Sequence, residues 1–225
     1  MRGSMGTDRD FRVLVATDGS APAKTAVATA VRFPWPARTR AHGVTARPVP
    51  ADYRRSILLA ALDRSAEVIA TGARRALSRR WPGADVTIVD TAPVASVLHE
   101  AKRFDADVIV LGWRGHGAVR RFLMGSVSRG VVRGAKCAVL VVRRRQGDVR
   151  RIVIGFDGSV NAQRAVDFVG RLHPPRGGQV IVFTAVDHVD VPSHALAPRG
   201  VGATVAAEVR RINAARTAKI GRAHV

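Results

Sequence analysis

The chain contains one strand–turn–helix sequence pattern twice. Residues 12–27, RVLVATDGSAPAKTAV, align with residues 151–166, RIVIGFDGSVNAQRAV, at a constant offset of 139 residues, and seven of the sixteen positions are identical. Each copy is an apolar run that ends in Asp-Gly-Ser and continues with small and apolar residues at helical spacing. The pattern predicts a buried strand, a tight turn and a helix capped by Ser20 or Ser159. Two copies of one such unit predict two related domains.

Strands and helices alternate through the first copy. After the first strand, helices are predicted near 21–33, 56–80, 93–104 and 126–134, and strands at 40–46, 86–90, 107–112 and 137–143. The strand at 107–112 is apolar throughout, which is typical of a strand buried on both faces. This alternation predicts an α/β fold with an open parallel five-stranded sheet and helices on both faces, in the Rossmann-like manner.

The second copy is shorter than the first. It has predicted strands at 151–156 and 179–186 and helices at 160–172 and around 203–218, without counterparts of strands three to five. We assign 1–10 to a disordered amino-terminal segment, 11–144 to the first domain, 145–150 to a linker and 151–219 to a partial second domain. Residues 220–225, IGRAHV, have no amphipathic pattern, and we interpret them as a non-native tail.

Composition excludes several classes of protein. Hydrophobic residues make up 47% of the 225, which is ample for a core and excludes a disordered chain. No apolar run approaches the ~20 residues of a transmembrane helix, and the start, MRGSMGTDRD, does not resemble a signal peptide, so we expect a cytoplasmic location without membrane association. A single cysteine, Cys137, excludes a disulfide framework and a cysteine-built zinc site. The histidines show no metal-ligand spacing.

The net charge of +20 raises the question of nucleic acid. Only four of the 37 basic residues are lysines, and the arginines are scattered along the chain. Aromatic residues are only 5% of the chain, too few for an interleaved base-stacking surface. We therefore expect nonspecific attraction to polyanions rather than specific nucleic-acid binding.

The stretch LGWRGHGAVRRFLMGSVSRG, residues 111–130, is the most informative for function. It follows a buried strand and leads into a helix, so it forms a loop at the carboxyl edge of the sheet, where ligands bind in open α/β folds. Gly112, Gly115 and Gly125 let the backbone approach a phosphate, and Ser126 with the following helix amino terminus offers donors to an anion. Asp18, after the first strand, belongs to the same edge.

The spacing Gly112-x-x-Gly115-x9-Gly125-Ser126, with Asp18-Gly19-Ser20 after the first strand, resembles the nucleotide-binding universal stress protein family. The resemblance covers 11–143, with the start of a second copy from 151. It implies an adenine-nucleotide α-hydrolase-like fold that binds ATP, with Mg²⁺, and acts as a regulatory module through a homodimer or a protein partner. The matching binding positions are Ala16, Asp18, Ala46, Gly112, Arg114, Gly115, Gly125, Ser126, Val127 and Ser128, with Val44 on the same face as Ala46.

Structural alternatives stay open at several of these positions. The alternative role for Gly112 and Gly115 is that of turn glycines, for Asp18 that of a capping carboxylate, and for Arg114 that of a solvated side chain. Trp113, beside them, is either a packing or lid residue or a base-stacking one. Two further expectations concern helices: Ser126 should be an N-cap, and the pair His99-Glu100 should lie on a solvated face.

The sequence argues against efficient catalysis. It lacks the G-x-x-x-x-G-K-[ST] phosphate loop, and His116 is the only candidate base near the glycines. We expect at most a slow ATPase. An adenylating enzyme of the same superfamily should carry an SGGxDS-like loop after the first strand, where this chain reads ATDGSAPA. A polyanion-binding protein is the third alternative.

Overall fold

The structure is a computed structural model that describes residues 9–48, 57–115, 124–144, 147–173, 177–184 and 211. The chain divides into two compact units, Met1–Val149 and Arg150–Val225. Within the described residues, no helix combines the length and the apolar character that crossing a membrane requires.

Strands and helices alternate in the first unit as the sequence predicts. The strands are β1 (Phe11–Ala16), β2 (Thr39–Ala46), β3 (Val86–Val89), β4 (Val108–Gly112) and β5 (Ala138–Val142). The helices are α1 (Ala21–Arg32), α2 (Ile57–Leu77), α3 (Pro93–Arg103) and α4 (Ser126–Gly134). The bounds agree with the predicted ones to within a few residues.

The five strands form one parallel sheet in the order β3-β2-β1-β4-β5. The order reverses between β1 and β4, because the chain adds β2 and β3 on one side of β1 and then crosses to the other. A crevice opens at such a reversal, outside the carboxyl ends of the strands. The predicted five-stranded parallel fold is confirmed.

Helices cover both faces of the sheet. Helices α1 and α2 pack on one face, and α3 and α4 pack on the other. All five residues of β4 are buried, as expected for its apolar sequence. The core beneath α3 and α4 consists of the buried side chains of Leu14, Ala16, Val44, Val97, Ala101, Ile109, Leu111 and Val131.

One prediction about α3 is wrong. His99 is exposed, but the carboxylate of Glu100 is only 1% exposed and lies between α3 and the sheet. Its Oε1 is 3.0 Å from His42 Nε2, and Arg103 donates two hydrogen bonds to the carboxylate at 2.6 and 2.9 Å. A polar residue on a helix can also be buried when the sheet offers it a polar partner. For Glu100 that partner is His42 on β2.

The second unit repeats the beginning of the first. Its elements are β6 (Arg151–Gly155), α5 (Val160–Gly170) and β7 (Gln179–Phe183), and the two strands pair in parallel. Ser159 caps α5 by accepting a hydrogen bond from the Ala162 N–H at 3.1 Å, as predicted. The predicted helix around 203–218 lies outside the described residues except at position 211.

Candidate functional site

The Asp-Gly-Ser triplet forms the turn between β1 and α1. Asp18 Oδ1 accepts a hydrogen bond from the Ser20 N–H at 3.0 Å, and Ser20 Oγ accepts one from the Ala23 N–H at 3.3 Å as the N-cap of α1. Gly19 has φ +77°, a conformation that favours glycine, and a Cβ there would lie 2.7 Å from Ile69 Cγ1. The triplet therefore directs the Asp18 carboxylate at the carboxyl edge of the sheet.

Gly112 lets β4 approach the start of α1. A Cβ on Gly112 would lie 2.8 Å from the carbonyl carbon and oxygen of Pro22 and 3.0 Å from the Ala23 nitrogen, all of them backbone atoms. The buried Ser128 hydroxyl donates a hydrogen bond of 2.7 Å to the Gly112 carbonyl. This bond ties the end of β4 to the first turn of α4.

Gly115 meets the Asp18 carboxylate. A Cβ on Gly115 would overlap Asp18 Oδ2, so only a glycine leaves that carboxylate where it stands. Gly115 itself is exposed. Two parts of the site that the sequence separates by almost a hundred residues are thus in direct contact.

Gly125 closes the loop on the other side. Its N–H donates a hydrogen bond of 2.9 Å to the Trp113 carbonyl, and a Cβ on it would lie 3.2 Å from Arg114 Cα. Gly125, with φ −59° and ψ 154°, is also the N-cap of α4. The prediction that Ser126 is the N-cap is therefore wrong: Ser126 is the first helical residue, and its side chain is exposed.

The amino terminus of α4 is suited to an anion. No side chain caps it, and its first turn contains no acidic residue. The first N–H groups of a helix have no partner within the helix and carry its positive dipole end. The exposed Ser126 hydroxyl adds a donor at the same place.

Two guanidinium groups lie over the ring of Trp113. The Arg114 guanidinium carbon lies 4.1 Å from the centroid of the Trp113 ring, and that of Arg143 lies 5.0 Å from it. The backbone N–H of Trp113 donates a hydrogen bond to the Val142 carbonyl at 2.9 Å, which brings the end of β5 beside the glycine loop. Arg143 is absent from the predicted site, although the residue after a fifth parallel strand belongs to the same edge.

The remaining predicted residues have different surroundings. Ala16 lies opposite Val44 in the β1–β2 register, and Ala46 ends β2 two residues farther on. The Val127 side chain is partly buried and packs against the core beneath α3 and α4. His116 lies outside the described residues.

Arg47, just after β2, is held in an ion-pair cluster. It donates two hydrogen bonds of 2.8 Å to the Asp90 carboxylate and also pairs with Asp63. Its charge is thereby balanced by the surrounding carboxylates. Within the described part of the chain, no three His, Cys, Asp or Glu side chains are grouped as a metal site would require.

Comparison with known proteins identifies the family. Residues 11–143 match the model of the family described as the universal stress protein family. A universal stress protein of Thermus aquaticus is 35% identical over 138 residues, which cover 58% of this chain and 97% of that protein. The stress response protein NhaX of Bacillus subtilis is 28% identical over 162 residues, which cover 59% of this chain and 97% of that protein.

Solved structures share the fold. The crystal structure of a universal stress protein from Archaeoglobus fulgidus superposes with a TM-score of 0.61 at 17% identity, over 89% of this chain and 74% of that one. The structure of the protein MJ0577 superposes with a TM-score of 0.51 at 22% identity, over 61% of this chain and 98% of that one.

Proposed function

Because the chain belongs to the universal stress protein family, we propose that its first unit binds ATP at the carboxyl edge of the sheet and works as a nucleotide-dependent regulatory module in the stress response of the cytoplasm. One observation carries the proposal. A side chain at each glycine of the site would crowd its neighbours: the backbone at the start of α1 for Gly112, Asp18 Oδ2 for Gly115 and Arg114 Cα for Gly125, so bare backbone borders the carboxyl edge between β1 and β4. A crevice built from bare backbone is what close approach to a phosphate chain requires.

Each part of the site has a proposed role. The triphosphate lies along Gly115 and Gly125 toward the amino terminus of α4, where Ser126 and the first N–H groups donate to it. Arg114 and Arg143, held against Trp113, supply positive charge beside the phosphates. Ser128 acts indirectly, since its hydroxyl holds the Gly112 carbonyl.

The nucleoside end lies toward β1 and β2 in this proposal. Asp18 accepts hydrogen bonds from the ribose or the base, and Ala46, at the partly exposed end of β2, gives the adenine a small apolar contact. Ala16 and Val44, side by side in the β1–β2 register, belong to the buried core next to it.

Mg²⁺ arrives with the nucleotide in this proposal. Protein-bound Mg²⁺ usually keeps several waters and relies on substrate phosphates plus one or two carboxylates. Because Asp18 is assigned to the nucleoside end, water supplies the remaining ligands, and the ion's part is to neutralise charge on the phosphates.

Slow turnover is also part of the proposal. Hydrolysis needs one group to orient water and others to neutralise the developing charge. The sequence has no Walker-type phosphate loop, so we expect occupancy, read by a partner protein or by a second copy, to be the output.

The nucleotide that copurifies with the chain tests the proposal. Acid release followed by mass spectrometry should identify ATP in the wild-type protein and in Gly72→Ala, a helical position with open space around it. Gly115→Ala should purify with less of it. A wild-type protein that retains no nucleotide and does not take up added ATP would overturn the proposal.

A further inference from the structure

A pocket lies at the amino-terminal ends of the strands, at the opposite end of the sheet from the glycine loop, and we call it the amino-edge pocket. It has a volume of about 540 Å³ and is bordered by the segment before β2, the segment before β3 and Phe104 at the end of α3. It exists because β3 begins only at Val86, which pairs with Gly43, so the first residues of β2 have no neighbour on that side. The volume is typical of small-molecule sites.

Three of the residues that line this amino-edge pocket have large aromatic side chains: Trp35, Trp81 and Phe104. Trp81 and Trp35 are only 8% and 2% exposed. The Trp35 Nε1–H donates a hydrogen bond of 2.7 Å to the Ala30 carbonyl, which fixes the ring. Phe104 completes the lining, 5.3 Å from the His42 ring between centroids. Preformed aromatic walls favour a flat apolar ligand body.

The charge of the lining is positive. No Asp or Glu lines the pocket, whereas Arg40 and Arg80 do. Arg80 is already engaged, since it donates to the carbonyls of Val31 and Phe33 at 2.8 and 2.6 Å, and burial lowers its pKa. Arg40 is exposed, and within the described residues no carboxylate pairs with it. Its guanidinium is available to a ligand carboxylate, which it can bind through two hydrogen bonds.

A backbone donor stands beside Arg40. The Gly43 N–H points toward the β3 side and donates to the Asp85 carbonyl at 2.7 Å. Successive peptide groups of a strand alternate in direction, so the N–H of Ala41, two residues earlier, points to the same side, where β3 has not yet begun. Ala41 lines the pocket.

We propose that the amino-edge pocket binds a small aromatic carboxylate. The ring lies against Trp81 and Phe104, and the carboxylate accepts hydrogen bonds from the Arg40 guanidinium and the Ala41 N–H. This site is separate from the nucleotide site, because the two occupy opposite ends of the same parallel strands.

Phenylacetate is a suitable probe, because it leaves tryptophan fluorescence free for observation. The chain has three tryptophans, and in Trp113→Phe the two that remain, Trp35 and Trp81, both line the pocket. Phenylacetate should change the fluorescence of this variant saturably. Phenylacetamide, which has the same shape without the charge, should bind about tenfold more weakly, or ~1.4 kcal/mol.

Arginine variants locate the carboxylate. Arg40→Gln should weaken phenylacetate binding about tenfold, and Arg64→Gln, at an exposed position of α2, should leave it unchanged. Gly115→Ala should also leave it unchanged, so that failure of the nucleotide proposal and failure of this one are distinguishable. The proposal is overturned if no saturable change occurs, if Arg40→Gln binds phenylacetate like the wild type, or if ATP displaces the probe.

Discussion

The Oδ2 atom of Asp18 lies so close to Gly115 that a Cβ atom on Gly115 would overlap it. The Asp18 side chain is restrained, because its other oxygen accepts a hydrogen bond from the Ser20 N–H before α1. The carboxylate after β1 and the glycine loop after β4 therefore form one site, and a substitution at Gly115 changes the position of the Asp18 carboxylate.

Asp18 should determine base preference more than phosphate affinity. Asp18→Ala removes a charged hydrogen-bond acceptor at the nucleoside end, and we expect the loss to cost ATP binding about 1–3 kcal/mol. Inorganic tripolyphosphate, which has no ribose or base, should bind almost as before. Equal losses for ATP and tripolyphosphate in calorimetry would show that Asp18 does not contact the nucleoside.

The two serines of α4 should separate stability from binding. Ser128→Ala leaves the buried Gly112 carbonyl without its 2.7 Å hydrogen bond and should lower the free energy of unfolding by about 1–3 kcal/mol. Ser126 is exposed, so Ser126→Ala should change stability by less than about 0.5 kcal/mol and weaken ATP binding instead. Urea unfolding and calorimetry of both variants check this. A Ser126→Ala protein that is as unstable as Ser128→Ala would contradict it.

Arg143 should contribute to binding through the phosphates. Arg143→Ala removes one of the two guanidinium groups over Trp113, so ATP affinity should fall by about 1 kcal/mol while adenosine affinity stays the same. Arg64→Ala, at an exposed position of α2, is the matched control for loss of one positive charge. If adenosine and ATP lose equal affinity in Arg143→Ala, Arg143 does not act on the phosphates.

Acid should destabilise the fold through His42. Burial lowers the pKa of His42 below its ordinary 6.5, although Glu100 opposes this. Burial raises the pKa of Glu100, but the hydrogen bonds and charge of Arg103, together with His42, outweigh it and leave that pKa below the ordinary value. The charges of two further residues also act on the pKa of His42: Arg103 lowers it and Asp85 raises it.

The sign follows from proton uptake. Below about pH 6.5 the unfolded chain binds a proton at His42 that the folded chain does not, so the free energy of unfolding should fall as pH decreases. A further fall should follow at lower pH, where Glu100 protonates in the unfolded chain first. Urea unfolding at about pH 7.5, 6.5 and 5.5 measures this, and His42→Gln should flatten the dependence. His99→Gln, exposed on α3, should not. A wild-type stability that is level over this range would contradict the prediction.

Much of the fold follows from the sequence because its signals are local. The Asp-Gly-Ser turn and the all-apolar β4 carry their own conformational preferences, and alternating strands and helices allow few arrangements other than a parallel sheet. The spacing of Gly112, Gly115 and Gly125 likewise indicates a loop at the carboxyl edge.

What the sequence does not predict depends on partners far along the chain. Glu100 is buried because His42, from another element, lies 3.0 Å away. Gly125 rather than Ser126 caps α4, since both residue types occur at N-caps and only the backbone conformation distinguishes them. The proximity of Arg143 to Trp113 depends on the β4–β5 pairing.

Titration of the full chain with ATP tests the nucleotide site most directly. The sequence from residue 151 onward keeps Asp157-Gly158-Ser159 but contains no second Gly-x-x-Gly-x9-Gly-Ser, so calorimetry should give one ATP per chain. Gly115→Ala should weaken binding by about as much as Asp18→Ala, because its Cβ displaces the Asp18 carboxylate, while its circular dichroism stays native. Gly72→Ala should bind like the wild type, because nothing lies within 4 Å of the added Cβ. Two equivalent sites per chain, or undiminished binding by Gly115→Ala, would contradict a single site built on Asp18 and Gly115.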